Sequence, residues 1–76
     1  MKQRIKEVMG RAFAIEAASI PDDAAIGTLP GWDSLGHVTL MMGIEQEFGV
    51  SLTTEAMRQA LTLAALEDYV TQAQAK

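Results

Sequence analysis

Apolar residues return at helical spacing from the start of the chain. Ile5, Val8, Ala12 and Ile15 form one stripe with Met9 and Phe13 beside it, and the spacing predicts a first helix over about residues 2–17. The pattern then breaks. Ser19-Ile20-Pro21-Asp22-Asp23 and Gly27-Thr28-Leu29-Pro30-Gly31 are dense in turn residues and predict a long connection, with Ile20, Ile26 and Leu29 pinning it to the core. Leu35, Val38, Met41, Met42, Ile44 and Phe48 supply the apolar face of a second helix over about residues 34–48. Asp33 and Ser34 offer capping oxygens at its start, and Gly49 offers a left-handed stop at its end. After the linker Val50-Ser51-Leu52, Thr53 or Thr54 caps a short third helix reaching about Ala60. Thr62 opens a fourth, in which Leu63, Leu66 and Val70 share a face and Tyr69 adds bulk. No segment alternates with period two, so no sheet is expected. The pattern predicts an all-α domain over residues 1–76: a small four-helix bundle of three longer helices and one short third helix, with a long loop between helices one and two.

Size limits what such a bundle can do. A chain of 76 residues makes one thin core burying roughly 60% of its unfolded surface, and an enclosed catalytic cavity would consume most of that core. With 49% hydrophobic and 21% charged residues, the composition is that of a folded protein. The absence of cysteine excludes disulfides and thiolate metal sites and makes a reducing cytoplasm the expected compartment. Basic residues before an Ala-rich stretch superficially suggest a signal peptide, but Glu7, Arg11 and Glu16 interrupt it. No apolar run approaches a membrane span, so neither export nor membrane insertion is expected.

The net charge is −4, and its distribution is uneven. Lys2, Arg4, Lys6 and Arg11 crowd the first helix, whereas from Glu16 to Glu55 every formally charged residue is acidic. Such a field repels nucleic acid and anionic membranes and attracts basic protein surfaces.

The candidate chemistry lies in Gly31-Trp32-Asp33-Ser34-Leu35-Gly36-His37-Val38. A serine at a helix N-terminus sits among unpaired backbone N–H groups and the positive end of the helix dipole, where a phosphodiester on its hydroxyl is favoured. Capping alone would also explain such a serine. A Ser34/His37/Asp33 hydrolase is excluded because neighbouring helical positions on an exposed end provide no oxyanion hole and no buried orienting carboxylate. One histidine and scattered carboxylates give no metal-ligand spacing.

Asp33-Ser34-Leu35 resembles the Asp-Ser-Leu signature at the start of the second helix in acyl and peptidyl carrier proteins. Nearly the whole chain shares the resemblance: its length, the long loop before the serine, the second helix ending in Glu45-Gln46-Glu47-Phe48-Gly49, the short third helix and the apolar fourth. It implies that Ser34 receives phosphopantetheine from coenzyme A through a separate phosphopantetheinyl transferase, and that the arm's thiol carries acyl groups as thioesters. The chain itself is then no enzyme.

For Asp33 the resemblance implies help in positioning the transferase's metal, with helix capping the competing role. Leu35 is expected to pack inward, Trp32 to serve packing, and His37 to be solvated and able to approach the phosphate. Glu45 and Glu47 match acidic positions of the family's docking helix, whose partners are loading ligases, synthases or transferases with basic patches. Leu35, Met42 and Met57 complete the expected partner-binding set. Met41, Met42 and Met57 are expected between the second and third helices, as core filling or as a path for an acyl chain. Gly36 and Thr39 stand where fatty-acid carriers typically have acids, and Arg58 puts a positive charge in the third helix. The thinned acidic ridge suggests a specialised lipid or secondary-metabolite pathway, since rim charges select partners. An amino-acyl or peptidyl carrier and an unmodified acidic helical interaction module are the alternatives, and a monomer is expected.

Overall fold

A computed structural model describes residues 1–74. Four α-helices follow one another: α1 (Lys2–Phe13), α2 (Ser34–Phe48), α3 (Thr54–Gln59) and α4 (Leu63–Gln74), with a 3-10 turn at Ala17–Ser19. The described residues thus form the all-α bundle expected from periodicity, with a short third helix. A single antiparallel bridge, Ala25 to Thr62, is the one β-type pairing among them.

The first helix is shorter than its apolar spacing predicts. It stops at Phe13 because Ala14 turns left-handed at φ 59°, and the N–H groups of Ala14 and Ile15 both return to the Gly10 carbonyl. Gly10 permits this return, since a Cβ there would stand 2.7 Å from the Ile15 oxygen. The buried face of α1 is accordingly Ile5, Val8, Met9 and Phe13, while Ala12 and Ile15 are half-buried.

The core gathers this face with Leu40, Met41, Ile44 and Phe48 of α2 and Leu63, Leu66 and Val70 of α4. Outside it, α1 and α2 are joined through Glu47, which meets Arg4 at 3.3 Å and Arg11 at 3.1 Å, while the Arg4 guanidinium lies 4.4 Å from the centre of the Phe48 ring. These exposed pairs fix the register of two helices more than they add stability.

The long loop is tied down along its length. Ile20 and Ala24 are buried, Ile26 and Leu29 pack against the core, and Asp22 holds Lys6 at 2.7 Å and Lys2 at 3.6 Å. Ile26 donates its N–H to the Leu61 carbonyl and Leu63 donates to that of Ala24, each at 2.9 Å, so the loop is stitched to the α3–α4 junction. It then delivers Trp32, 1% exposed and stacked on Phe13 at 5.9 Å, directly beneath the start of α2.

Candidate functional site

The first turn of α2 is built by the residues on either side of Ser34. Asp33, in extended conformation, caps the helix: its carboxylate accepts from the Gly36 N–H at 2.8 Å and its backbone carbonyl from the His37 N–H at 2.8 Å. The His37 bond is the first of the helical ladder, and of the three helical N–H groups before it the carboxylate satisfies one. The remaining two belong to Ser34 and Leu35 and have no partner within the helix.

Because Asp33 takes the capping position, Ser34 is released from it. Its side chain is exposed at the first helical position, and no hydrogen bond among the described residues takes up its hydroxyl. A phosphodiester formed on that oxygen would lie over the free N–H pair and the positive end of the helix dipole. An exposed hydroxyl beside two open donors fits a charged, covalently attached arm.

Gly31 and Gly36 bring the loop against the helix. A Cβ on Gly36 would fall 1.8 Å from the Gly31 carbonyl oxygen, so the backbone crosses this turn at a distance no side chain allows. Gly31 itself has φ +87°, a left-handed conformation natural to glycine.

The structure corrects three expectations about the neighbouring side chains. Leu35 does not pack inward; it is 78% exposed, because the Gly31 carbonyl and the Trp32–His37 pair occupy the inner face of the turn. His37 is not solvated and does not approach a group on Ser34. It is 8% exposed, accepts at Nδ1 from Trp32 Nε1 at 3.1 Å, and meets the Met57 carbonyl through Nε2 at 2.7 Å. With both ring nitrogens engaged, it has none free to activate the Ser34 hydroxyl. Met42 does not lie between α2 and α3 either. It is 54% exposed and lines an open groove between α1 and α2 together with Val8, Arg11, Thr39 and Gly43. Met41 is fully buried and Met57 half-buried.

Glu45 and Glu47 have structural tasks inside the chain. Glu45 accepts the Leu52 N–H at 2.8 Å and so anchors the α2–α3 linker. Hydrogen bonds from Arg11 and Arg4 hold the carboxyl of Glu47 below its ordinary range. What α2 presents beside Ser34 is therefore apolar. Leu35, Val38 and Met42 follow at helical spacing, 78%, 54% and 54% exposed. Spacing alone places Val38 on the apolar face of α2, yet it faces water. The signal that separates it is that α2 carries two apolar rows, one running through His37, Leu40, Met41, Ile44 and Phe48 into the core and the other facing water.

Residues 3–70 match the family described as phosphopantetheine attachment site. The chain belongs to that family. Its domains attach phosphopantetheine covalently and carry it, and phosphopantetheine is the cofactor of this chain's class. Among solved structures, a chain of the ishigamide ketosynthase/chain length factor structure shares the fold, with a TM-score of 0.74 and 17% identity over 99% of this chain and 94% of that one. No helix of the described residues is long and apolar enough to cross a membrane.

Proposed function

We propose that this phosphopantetheine-attachment domain is an acyl carrier whose arm is joined to Ser34. A separate transferase loads the arm: Ser34 Oγ, losing its proton to a base of the transferase or to solvent, bonds to the pantetheine-side phosphorus of coenzyme A as the P–O–P bond breaks and adenosine 3′,5′-bisphosphate leaves. The arm's thiol then presents acyl groups, as thioesters, to partner enzymes. The observation that carries this reading is the exposed Ser34 hydroxyl, relieved of capping by Asp33 at the start of α2 in a chain of this family.

Docking is assigned to the Leu35–Val38–Met42 row. An exposed apolar row starting next to the attachment point gives a partner a hydrophobic contact that brings the arm to its active site. Glu45 contributes charge at the rim, which steers encounter more than it adds affinity, whereas Glu47 is already paired with Arg4 and Arg11. The fold shared with a chain of a ketosynthase/chain length factor structure supports ketosynthase-type enzymes as one class of client, and the thinned acidic face supports a specialised lipid or secondary-metabolite pathway.

Intact mass after incubation with coenzyme A and a promiscuous phosphopantetheinyl transferase tests the proposal. A gain of one phosphopantetheinyl group, absent in Ser34→Ala, is expected. No gain under conditions that fully modify a control carrier would leave an unmodified interaction module as the better reading.

A further inference from the structure

We propose that His37 is a proton-sensitive latch that ties α3 to Trp32 and the start of α2, so that acid frees α3 while the rest of the fold stays closed. The first support is the direction of its two hydrogen bonds. Trp32 Nε1 carries a hydrogen and can only donate, so Nδ1 of His37 must offer its lone pair across the 3.1 Å contact. The Met57 carbonyl can only accept, so Nε2 must carry the hydrogen across the 2.7 Å contact. Only the neutral Nε2–H tautomer satisfies both. An imidazolium has a hydrogen on each nitrogen and would set an N–H of His37 against that of Trp32.

The second support is how little else holds α3. It has six residues, too few to persist by its own hydrogen bonds, and Ala56 is its one fully buried side chain. Met57 lies near its C-terminal end, where carbonyls lack helical partners, and His37 supplies one to an otherwise orphaned oxygen. Beside it stand the Thr53 cap, the Tyr69 hydroxyl donating to Gln59 at 2.6 Å, the half-buried Met57 side chain and, just after the helix, the buried Ala60 and the Ile26–Leu61 hydrogen bond. Through Trp32, which stacks on Phe13 of α1, the latch joins α3 to the core.

Most charged groups on the surrounding elements have other partners. The Asp33 carboxylate caps Gly36, Glu55 and Arg58 of α3 pair with each other at 3.5 Å, and Arg11 of α1 pairs with Glu47. Glu67 and Asp68 of α4 form no ion pair with His37, and none of the ion pairs among the described residues includes it. Protonation therefore gains no carboxylate partner to offset the lost acceptor.

The latch belongs to the unmodified chain, so its test does not depend on what Ser34 carries. Amide hydrogen exchange is compared at about pH 8 and about pH 5, the limits that bracket ordinary imidazole titration, after correction for intrinsic rates. Protection of the Met57 and Ala60 N–H groups should fall about three- to tenfold at the lower pH relative to amides of α2, the equivalent of one buried hydrogen bond. His37→Gln can still accept from Trp32 and donate to Met57, and should keep α3 protected at both pH values. Trp32→Phe removes the opposed N–H and should flatten the pH dependence. Unchanged α3 protection in the native chain would overturn the latch, as would loss of protection in all four helices together.

Discussion

The carbonyl oxygen of Gly31 lies so close to Gly36 that a Cβ there would stand 1.8 Å from it. A bare helix would gain about 0.5–1 kcal/mol from Gly→Ala. Here the methyl group must displace the loop carrying Trp32, at a cost of about 1–3 kcal/mol or more. Gly36→Ala should therefore lower the urea midpoint, and an unchanged or higher midpoint would show that the loop does not press on this turn.

Asp33 allows capping to be separated from charge. Asp33→Ala removes the acceptor for the Gly36 N–H and should cost about 0.5–2 kcal/mol. Asp33→Asn keeps an acceptor oxygen and should retain most of the stability. If Asn proves as damaging as Ala in chemical denaturation, the carboxylate charge, and not the cap geometry, is what holds the turn.

Much of this site was legible in the sequence, though not its inner face. The end of α2 at Gly49 and a threonine cap on α3 follow from residue type, because the left-handed turn and the side-chain acceptor are local requirements, while the choice of Thr53 over Thr54 is made by the fold. The exposure of Ser34 follows the same local logic. The inward placement of His37 does not, since its partners Trp32 and the Met57 carbonyl lie on a loop and on α3 and meet only after folding. Leu35 faces outward for a related cause: backbone and an aromatic–imidazole pair fill the space that hydrophobicity alone would give to leucine. The early end of α1 depends on a chain reversal over Gly10, a tertiary event hidden from periodicity.

Acid should weaken the fold through Glu47 and Asp22. Hydrogen bonds from Arg11 and Arg4 lower the pKa of Glu47, and a hydrogen bond from Lys6 together with the charge of Lys2 lowers that of Asp22. A carboxyl lowered on folding contributes stability above its unfolded value and loses it as pH falls through the folded one. Thermal midpoints should thus drop below the ordinary carboxylate range of about pH 4, less steeply in Glu47→Gln and Asp22→Asn and less steeply in high salt. A slope identical in all three chains would remove these pairs from the acid response.

The apolar row of α2 should matter to partners and not to the fold. Leu35→Ser and Met42→Ser replace side chains 78% and 54% exposed and should change stability by no more than about 0.5 kcal/mol. Transfer from the loaded arm to a cognate enzyme should slow through a higher KM. Transfer kinetics identical to those of the parent chain would move the docking surface elsewhere.

Locating the modified side chain tests the central claim most directly. Ser19, Ser34 and Ser51 are the serines of the chain, and fragmentation of the transferase-treated protein distinguishes them. The whole mass gain is expected on Ser34, at the open first turn of α2. A phosphopantetheinyl group found on Ser19 or Ser51 instead would contradict the assignment.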